Sequence, residues 1–410
     1  MAKQAIKKGA GIAPKKSTLA DFKSKRGLLI NNKQNEPLTA EDLGVSGNAD
    51  KELEWLIMPP AFQEVTKLPG IPQGYVVSVM GHSNTGKSTL INHAMIAAQR
   101  QGLIPVFFDT ENAFDFHHAV RMGLQATPVY ADVEIETVDP ETGEVQTTVE
   151  NQIVSWEGDF LYYNSVTLEK MYGKRDYSKG VETSKNRGVA VLEDIAYCME
   201  ELIEAQENEE INAGLVFIWD SVGSIICYKD YVSKVGNKMW AAAALSDAFG
   251  NLINNRIPTS KKVSSKYTNT FIYVNKVWLD SSVSPTGPVM KAKGGAAFHY
   301  SSRLQILMGG QLTAGIKRLT AVAKGLTYGY GTETKIKILK NHLTAPHNVC
   351  YEGSIISTDT GFIGVNELES YKKTHLSTIL KQLQELNDNK DVVIDEQDVD
   401  FQVKEEIVED

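Results

Sequence analysis

The octapeptide Gly81-His82-Ser83-Asn84-Thr85-Gly86-Lys87-Ser88 constrains this chain more than any other stretch, because it satisfies GxxxxGK[ST] in full. Its glycines let backbone N–H groups turn inward around an anion, and a helix beginning at its end adds its dipole. Lys87 then reaches the β- and γ-phosphates of a nucleotide, and Ser88 offers a hydroxyl to Mg²⁺. Such a loop works between a buried strand and a helix. The flanks supply both: "YVVSVM" at 75–80 reads as the strand, and Leu90, Ile91, Ala94, Met95 and Ala98 fall on one apolar helical face. "GLIPVFFDTEN" follows as a second buried strand ending in acids. Strand, helix, strand predicts a right-handed crossover and a largely parallel sheet flanked by helices, an α/β class.

Two further acids suit a phosphate site. "LVFIWDS" runs four apolar residues into Asp220, which places a carboxylate at the C-terminal end of a buried strand, where open α/β sheets bind ligands. Asp220 there holds Mg²⁺ through a water, or it caps a turn. "FFDTEN" carries Asp109 and Glu111. Glu111 lies past the strand end, where it faces the nucleotide and orients or deprotonates a water; either acid is otherwise a solvated strand cap.

The remaining organisation follows from composition and loop length. Of 410 residues, 42% are hydrophobic and 23% charged, ordinary for a globular chain. No apolar run approaches the ~20 residues of a membrane span. The basic N-terminus lacks the apolar stretch of a secretory signal, and Cys198, Cys227 and Cys350 are isolated. The expectation is a cytoplasmic protein with reduced thiols and neither a disulfide frame nor a zinc site.

The net charge of −9 is unevenly spread. Lys3, Lys7, Lys8, Lys15, Lys16, Lys23, Lys25 and Arg26 crowd one end, and acids crowd 388–410. These ends are interaction tails or simply solvated termini. We expect a basic arm over 1–52, a core over 53–365, a short C-terminal helix over 366–387 and an acidic disordered tail over 388–410. Within the core, 131–163 alternates β-branched residues with acids around Pro-Glu-Thr-Gly and predicts an inserted β-hairpin. The loops 226–240 and 277–295 are long enough to be functional or disordered.

Taken in order, "LPGIPQG", "GHSNTGKSTL", "FFDTENAFD", "VFIWDSVGS", "FIYVNKV", "KAKGGAAFHYSSRLQILM" and "KIKILKNHLTAPHN" resemble the RecA family of strand-exchange ATPases, from about 68 to about 363. Its phage members, of which UvsX is the type, share the abbreviated C-terminal end and a hairpin-like insertion. The resemblance implies a RecA-like P-loop ATPase core that uses ATP and Mg²⁺. It makes Glu111 the catalytic glutamate and Asp220 the Walker-B acid, and it places Thr89 beside Ser88 in the phosphate loop. It puts Asp115 against adenine and His118 where the family often stacks a tyrosine.

Asn275-Lys276 matches the end of the sensor strand, where the family usually has glutamine second. Lys340 matches a lysine that crosses the filament interface to the neighbour's γ-phosphate, and His342 replaces its companion lysine. The long loops then hold DNA, through Lys229, Lys234 and Lys238 in the first and Val289, Met290, Lys291 and Lys293 in the second. An N-terminal element docks on the adjacent protomer. The implied function is a DNA-dependent ATPase that forms filaments on single-stranded DNA and promotes homologous pairing and strand exchange in recombination, repair and recombination-linked replication. Its partners are single-stranded DNA, duplex DNA, further copies of itself, a single-strand-binding protein and a loader, with no membrane. It works in the cytoplasm, the host's if phage-encoded. The rival readings are a hexameric RecA-fold helicase or translocase, whose arginine finger has no obvious counterpart among the eight arginines here, Arg303 being the one left open, and a nucleotide-dependent filament scaffold.

Overall fold

The computed structural model describes Leu38 and residues 49–138, 145–233, 241–280, 289–292, 295–311, 313–343, 351–387 and 394–406. The chain divides into two units: 53–261 with 267–410, and a smaller one to which the described residues 49–52 and 262–266 belong. In the smaller unit, Asp50 and Lys262 form an antiparallel bridge and an ion pair of 2.5 Å.

Eighteen strands are described. They are β1 (Trp55–Ile57), β2 (Gly70–Pro72), β3 (Val76–Gly81), β4 (Ile104–Asp109), β5 (Thr127–Val138), β6 (Val145–Glu157), β7 (Leu161–Asn164), β8 (Arg175–Asp176) and β9 (Val181–Glu182). The second half of the chain adds β10 (Leu215–Asp220), β11 (Thr270–Asp280), β12 (Val289–Ala292), β13 (Leu304–Met308), β14 (Ile316–Ala323), β15 (Leu326–Asn341), β16 (Glu352–Thr358), β17 (Gly361–Gly364) and β18 (Asp400–Glu406).

The sheet centre runs parallel in the order β13-β3-β11-β10-β4-β7. Strands β3 and β4 are consecutive in sequence yet separated by β11 and β10, so the chain crosses over the sheet between them. The alternation of side chains along each strand fills both faces. On β10, Val216 and Ile218 join one apolar layer with the helices Pro60–Thr66 and Lys87–Arg100. Leu215, Phe217 and Trp219 join the other with the helices Leu192–Glu207 and Ala241–Asn251. Leu90, Ile91, Ala94, Met95 and Ala98 are all buried, as their helical spacing predicts. A sheet covered on both faces presents its open edge for ligands at the strands' carboxyl ends. There β3 enters the glycine loop and β10 ends in Asp220.

Past β13 the sheet turns antiparallel through β15, β16 and β17, while β14 lies between β15 and β18. Several expectations about this and other segments need correction. The short helix expected over 366–387 is two, Leu368–Thr374 and Leu376–Glu385, which break at His375 where its ring stacks on Tyr371 at 4.1 Å. The tail expected to be disordered contains β18, paired with β14 over seven positions from Ile316↔Glu406 to Val322↔Asp400. Apolar side chains explain this: Phe401 meets Tyr330 edge-on at 5.5 Å, and Ile394 is buried in a cluster with Leu319, Tyr371 and Ile379.

The hairpin expected over 131–163 is the antiparallel pair β5–β6, already begun at Thr127 and ended at Glu157, and Leu161–Asn164 belongs instead to the main sheet as β7. The loop expected over 226–240 holds a helix, Tyr228–Ser233. The loop expected over 277–295 is partly a hairpin, since β11 runs on to Asp280 and pairs with β12. Among the described residues no helix is long and apolar enough to cross a membrane.

Candidate functional site

Strand β3 feeds the loop into the helix Lys87–Arg100. Gly81 is required because a Cβ there would run into the carbonyl of Met308 on β13. Gly86 adopts φ +88°, a left-handed conformation that costs a side-chain-bearing residue energy. The helix starts at Gly86 without a side-chain cap, so its positive end faces the loop. Lys87 is buried and donates to the His82 carbonyl at 2.5 Å, and Thr85 Oγ1 donates to the same oxygen at 2.8 Å. Ser83 is half-buried, Asn84 and Ser88 are exposed, and Thr89 is buried.

The acids come from the ends of β4 and β10. Asp109 is buried and accepts from Ala113 N at 3.3 Å, Phe114 N at 3.0 Å and the Tyr162 hydroxyl at 2.9 Å. It fastens the turn that carries Glu111. Thr110 ties the same turn to β10: its N–H donates to the Asp220 carbonyl at 2.9 Å, and its hydroxyl accepts from Trp219 Nε1 at 3.1 Å. The Asp220–Ser221 peptide is cis. Sequence reading missed these supporting roles, because only the pairing of β4 with β7 and β10 brings Tyr162 and Trp219 within reach.

Glu111 holds one donor on each oxygen: Ser221 Oγ on Oε1 at 2.5 Å and Lys276 Nζ on Oε2 at 3.0 Å. Burial pushes its carboxyl up, but those hydrogen bonds and the charges of Lys276 and Lys87 outweigh it and hold the group below its usual value. Asp220 goes the other way. Burial, joined by the charges of Glu111 and Asp109 and opposed by Lys87 and Lys276, pushes it up to about 6. The five charged groups therefore share one electrostatic site.

The donor set suits a hard cation. Asp220 is a sheltered carboxylate among like charges, which a divalent ion relieves, and Ser88 adds a hydroxyl oxygen. Among the described residues no group of three or more His, Cys, Asp or Glu forms a metal cage. An ion that keeps waters and substrate phosphates as most of its ligands needs none.

Asn275 is buried opposite Met80, and Lys276 is opposite Gly81. Asp115 caps the helix Phe116–Met122 by accepting from His118 N at 3.0 Å. Beside it lies a histidine the sequence reading passed over: His93 accepts from Phe362 N at 2.9 Å, and burial, with the charges of Arg100 and His118, lowers it to about 4. Lys340 donates to the carbonyls of Tyr300 and His299 at 3.1 and 3.3 Å, and burial and Arg303 lower its pKa. His342 is exposed, with its N–H on the Arg303 carbonyl at 2.9 Å.

Of the proposed DNA-loop residues, Lys229 stands on the helix Tyr228–Ser233, beside an open groove with Tyr197 and Val232. On β12, Val289 pairs with Asp280, Met290 with Leu279 and Lys291 with Trp278. Lys234, Lys238 and Lys293 lie outside the described residues, as does nearly all of the basic arm.

Residues 60–168 match the RecA N-terminal domain. A RecA protein of Desulforapulum autotrophicum is 34% identical over 107 residues, which is 26% of this chain and 29% of that protein. One from Synechococcus sp. strain CC9902 is 37% identical over 86 residues, 21% of each chain. One from Synechococcus elongatus is 23% identical over 282 residues, 68% of this chain and 57% of that protein. The chain thus spans from 21% to 57% of the length of these relatives. The matches support kinship with the RecA family, and the mixed α/β fold with its mostly parallel central sheet fits a RecA-like core.

Proposed function

We propose that this chain is an ATP-dependent DNA recombinase, which forms filaments on single-stranded DNA and promotes homologous pairing and strand exchange in recombination and repair. The observation that carries the reading is the convergence of Lys87, Glu111 and Asp220 at the carboxyl ends of β3, β4 and β10, within a chain whose residues 60–168 match the RecA N-terminal domain. The loop 81–88 with Thr89 cradles the triphosphate of ATP, and Lys87 leaves the His82 carbonyl for the phosphates. Asp115 and His118 border the base. Ser88 and Asp220 would hold Mg²⁺, which when bound neutralises charge on the β- and γ-phosphate oxygens. Glu111 orients or deprotonates the attacking water.

Lys340, with His342 beside it, reaches a neighbouring protomer's nucleotide rather than its own; in this chain its ammonium bonds the carbonyls of Tyr300 and His299. The β11–β12 hairpin, with Met290 and Lys291, and the helix bearing Lys229 face the DNA backbone, where lysines bind phosphate with little base readout. Duplex DNA, a single-strand-binding protein and a loader complete the set of partners. The inserted pair β5–β6 favours a phage, UvsX-type placement.

The test is ATP turnover with and without single-stranded DNA. Lys87→Ala abolishes ATP binding, measured by calorimetry. Glu111→Gln cuts turnover by about 100-fold or more while ATP and DNA binding persist. A Lys87→Ala protein that still hydrolyses ATP sinks the site assignment.

A further inference from the structure

We propose that Lys276 is a positioning residue that locks Glu111 in an ion pair, that bound nucleotide competes with this lock without abolishing it, and that turnover requires the lock to open. The inference rests on the hydrolytic reading of the site given above.

Three observations carry it. Glu111 has no oxygen without a donor: Ser221 takes Oε1 and Lys276 takes Oε2. A carboxylate so held is a weakened base, because both donors favour its charged form and each takes one of the two lone pairs on its oxygen. The charged groups around it are Lys276 on β11, Lys87 on the first helical turn after the loop, and Asp220 at the end of β10.

The pair is also asymmetric. The Lys276 side chain is 55% exposed and that of Glu111 25%. A lysine on a flexible, solvated stem swings away at little cost, whereas the carboxylate stays where Ser221 fixes it. Lys276 is the member that moves.

The position of Lys276 also supplies a reason to move. It makes the last pairing of β11 with β3, opposite Gly81, the residue where the phosphate loop begins. The next residue, Val277, pairs with Ala292 in the β11–β12 hairpin. A polyphosphate in the loop 81–88 therefore arrives beside the ammonium with more negative charge than one carboxylate offers, and competes for it. Glu111 is then left on Ser221 alone, with Oε2 open to water. A neutral side chain at 276 has no such exchange to make.

The decisive experiment is steady-state ATP hydrolysis by the full chain, without DNA, for Lys276→Gln, Lys276→Arg and the double variant Glu111→Gln with Lys276→Gln. Removing the lock raises kcat by about three-fold or more in Lys276→Gln, with KM for ATP unchanged or higher. Lys276→Arg, which keeps the ion pair, stays near the wild-type value. In the double variant the gain disappears, because Lys276 acts through Glu111. A purely structural role predicts the opposite: both single variants lose activity together with thermal stability. If kcat is unchanged or lower in Lys276→Gln while that variant melts like wild type, the lock does not exist. If Lys276→Gln melts early, Lys276→Met is measured in its place against the same criteria. A wild-type protein with no ATP turnover overturns the hydrolytic reading itself, and the lock with it, so the two failures are distinct.

Discussion

Asp220 and Glu111 are two carboxylates at neighbouring strand ends whose surroundings push them in opposite directions. Glu111 sits below its usual range because Ser221 and Lys276 outweigh burial, and Asp220 rises to about 6 because burial and two neighbouring acids prevail. Separation of this kind divides labour, Glu111 staying charged well into acid while Asp220 takes up a proton as pH falls through about 6. A cation needs the deprotonated carboxylate, so the sign is fixed: affinity is full above about pH 6 and falls as pH drops below it. Titrating Mg²⁺ at pH 7.5 and 5 with a slowly hydrolysed ATP analogue should show about ten-fold weaker binding at the lower pH, beyond the nucleotide's own change. Asp220→Asn binds Mg²⁺ weakly at both values and lacks that extra dependence. An equal dependence in the two proteins contradicts a metal role for Asp220. The glycine loop and both acids were legible in the sequence because each has a local signature. The partners of Glu111 were not: Ser221 and Lys276 lie 110 and 165 positions away and meet it only through the register of β4, β10 and β11.

Among the elements, β18 changes the meaning of the acidic C-terminal stretch. Charge alone describes 388–410 as a solvated tail, but Phe401 and Ile394 supply enough apolar anchorage to dock a strand. Lys324 pairs with Asp398 at 3.0 Å, just before β18. Deleting this stretch therefore does more than remove negative charge, because it bares the backbone of β14 as a sheet edge. A truncation after Asn387 should lower the melting temperature by about 5 °C or more and increase self-association, read by light scattering. An unchanged melt with a monodisperse protein contradicts a docked strand. The loops 226–240 and 277–295 show the same limit of sequence reading. Their length marks them as functional candidates, while the helix Tyr228–Ser233 and the β11–β12 pairing within them depend on contacts that no short window contains.

At the scale of the whole molecule, the parallel sheet was legible because strand–loop–helix–strand order dictates it. The antiparallel extension through β15, β16 and β17 was not, since nothing local distinguishes its strands from those at the centre. The site sits at the carboxyl ends of the central strands, while Lys340 makes its bonds to residues 299 and 300. The proposed function has Lys340 serve the site of a neighbour, and copies arranged so that each serves the next would make an open helix. The most direct measurement is negative-stain imaging of the full chain with single-stranded DNA and a slowly hydrolysed ATP analogue. Extended helical filaments, absent when ATP analogue or DNA is omitted, are the predicted result. Closed rings, or particles that stay monomeric on the DNA, would contradict the account.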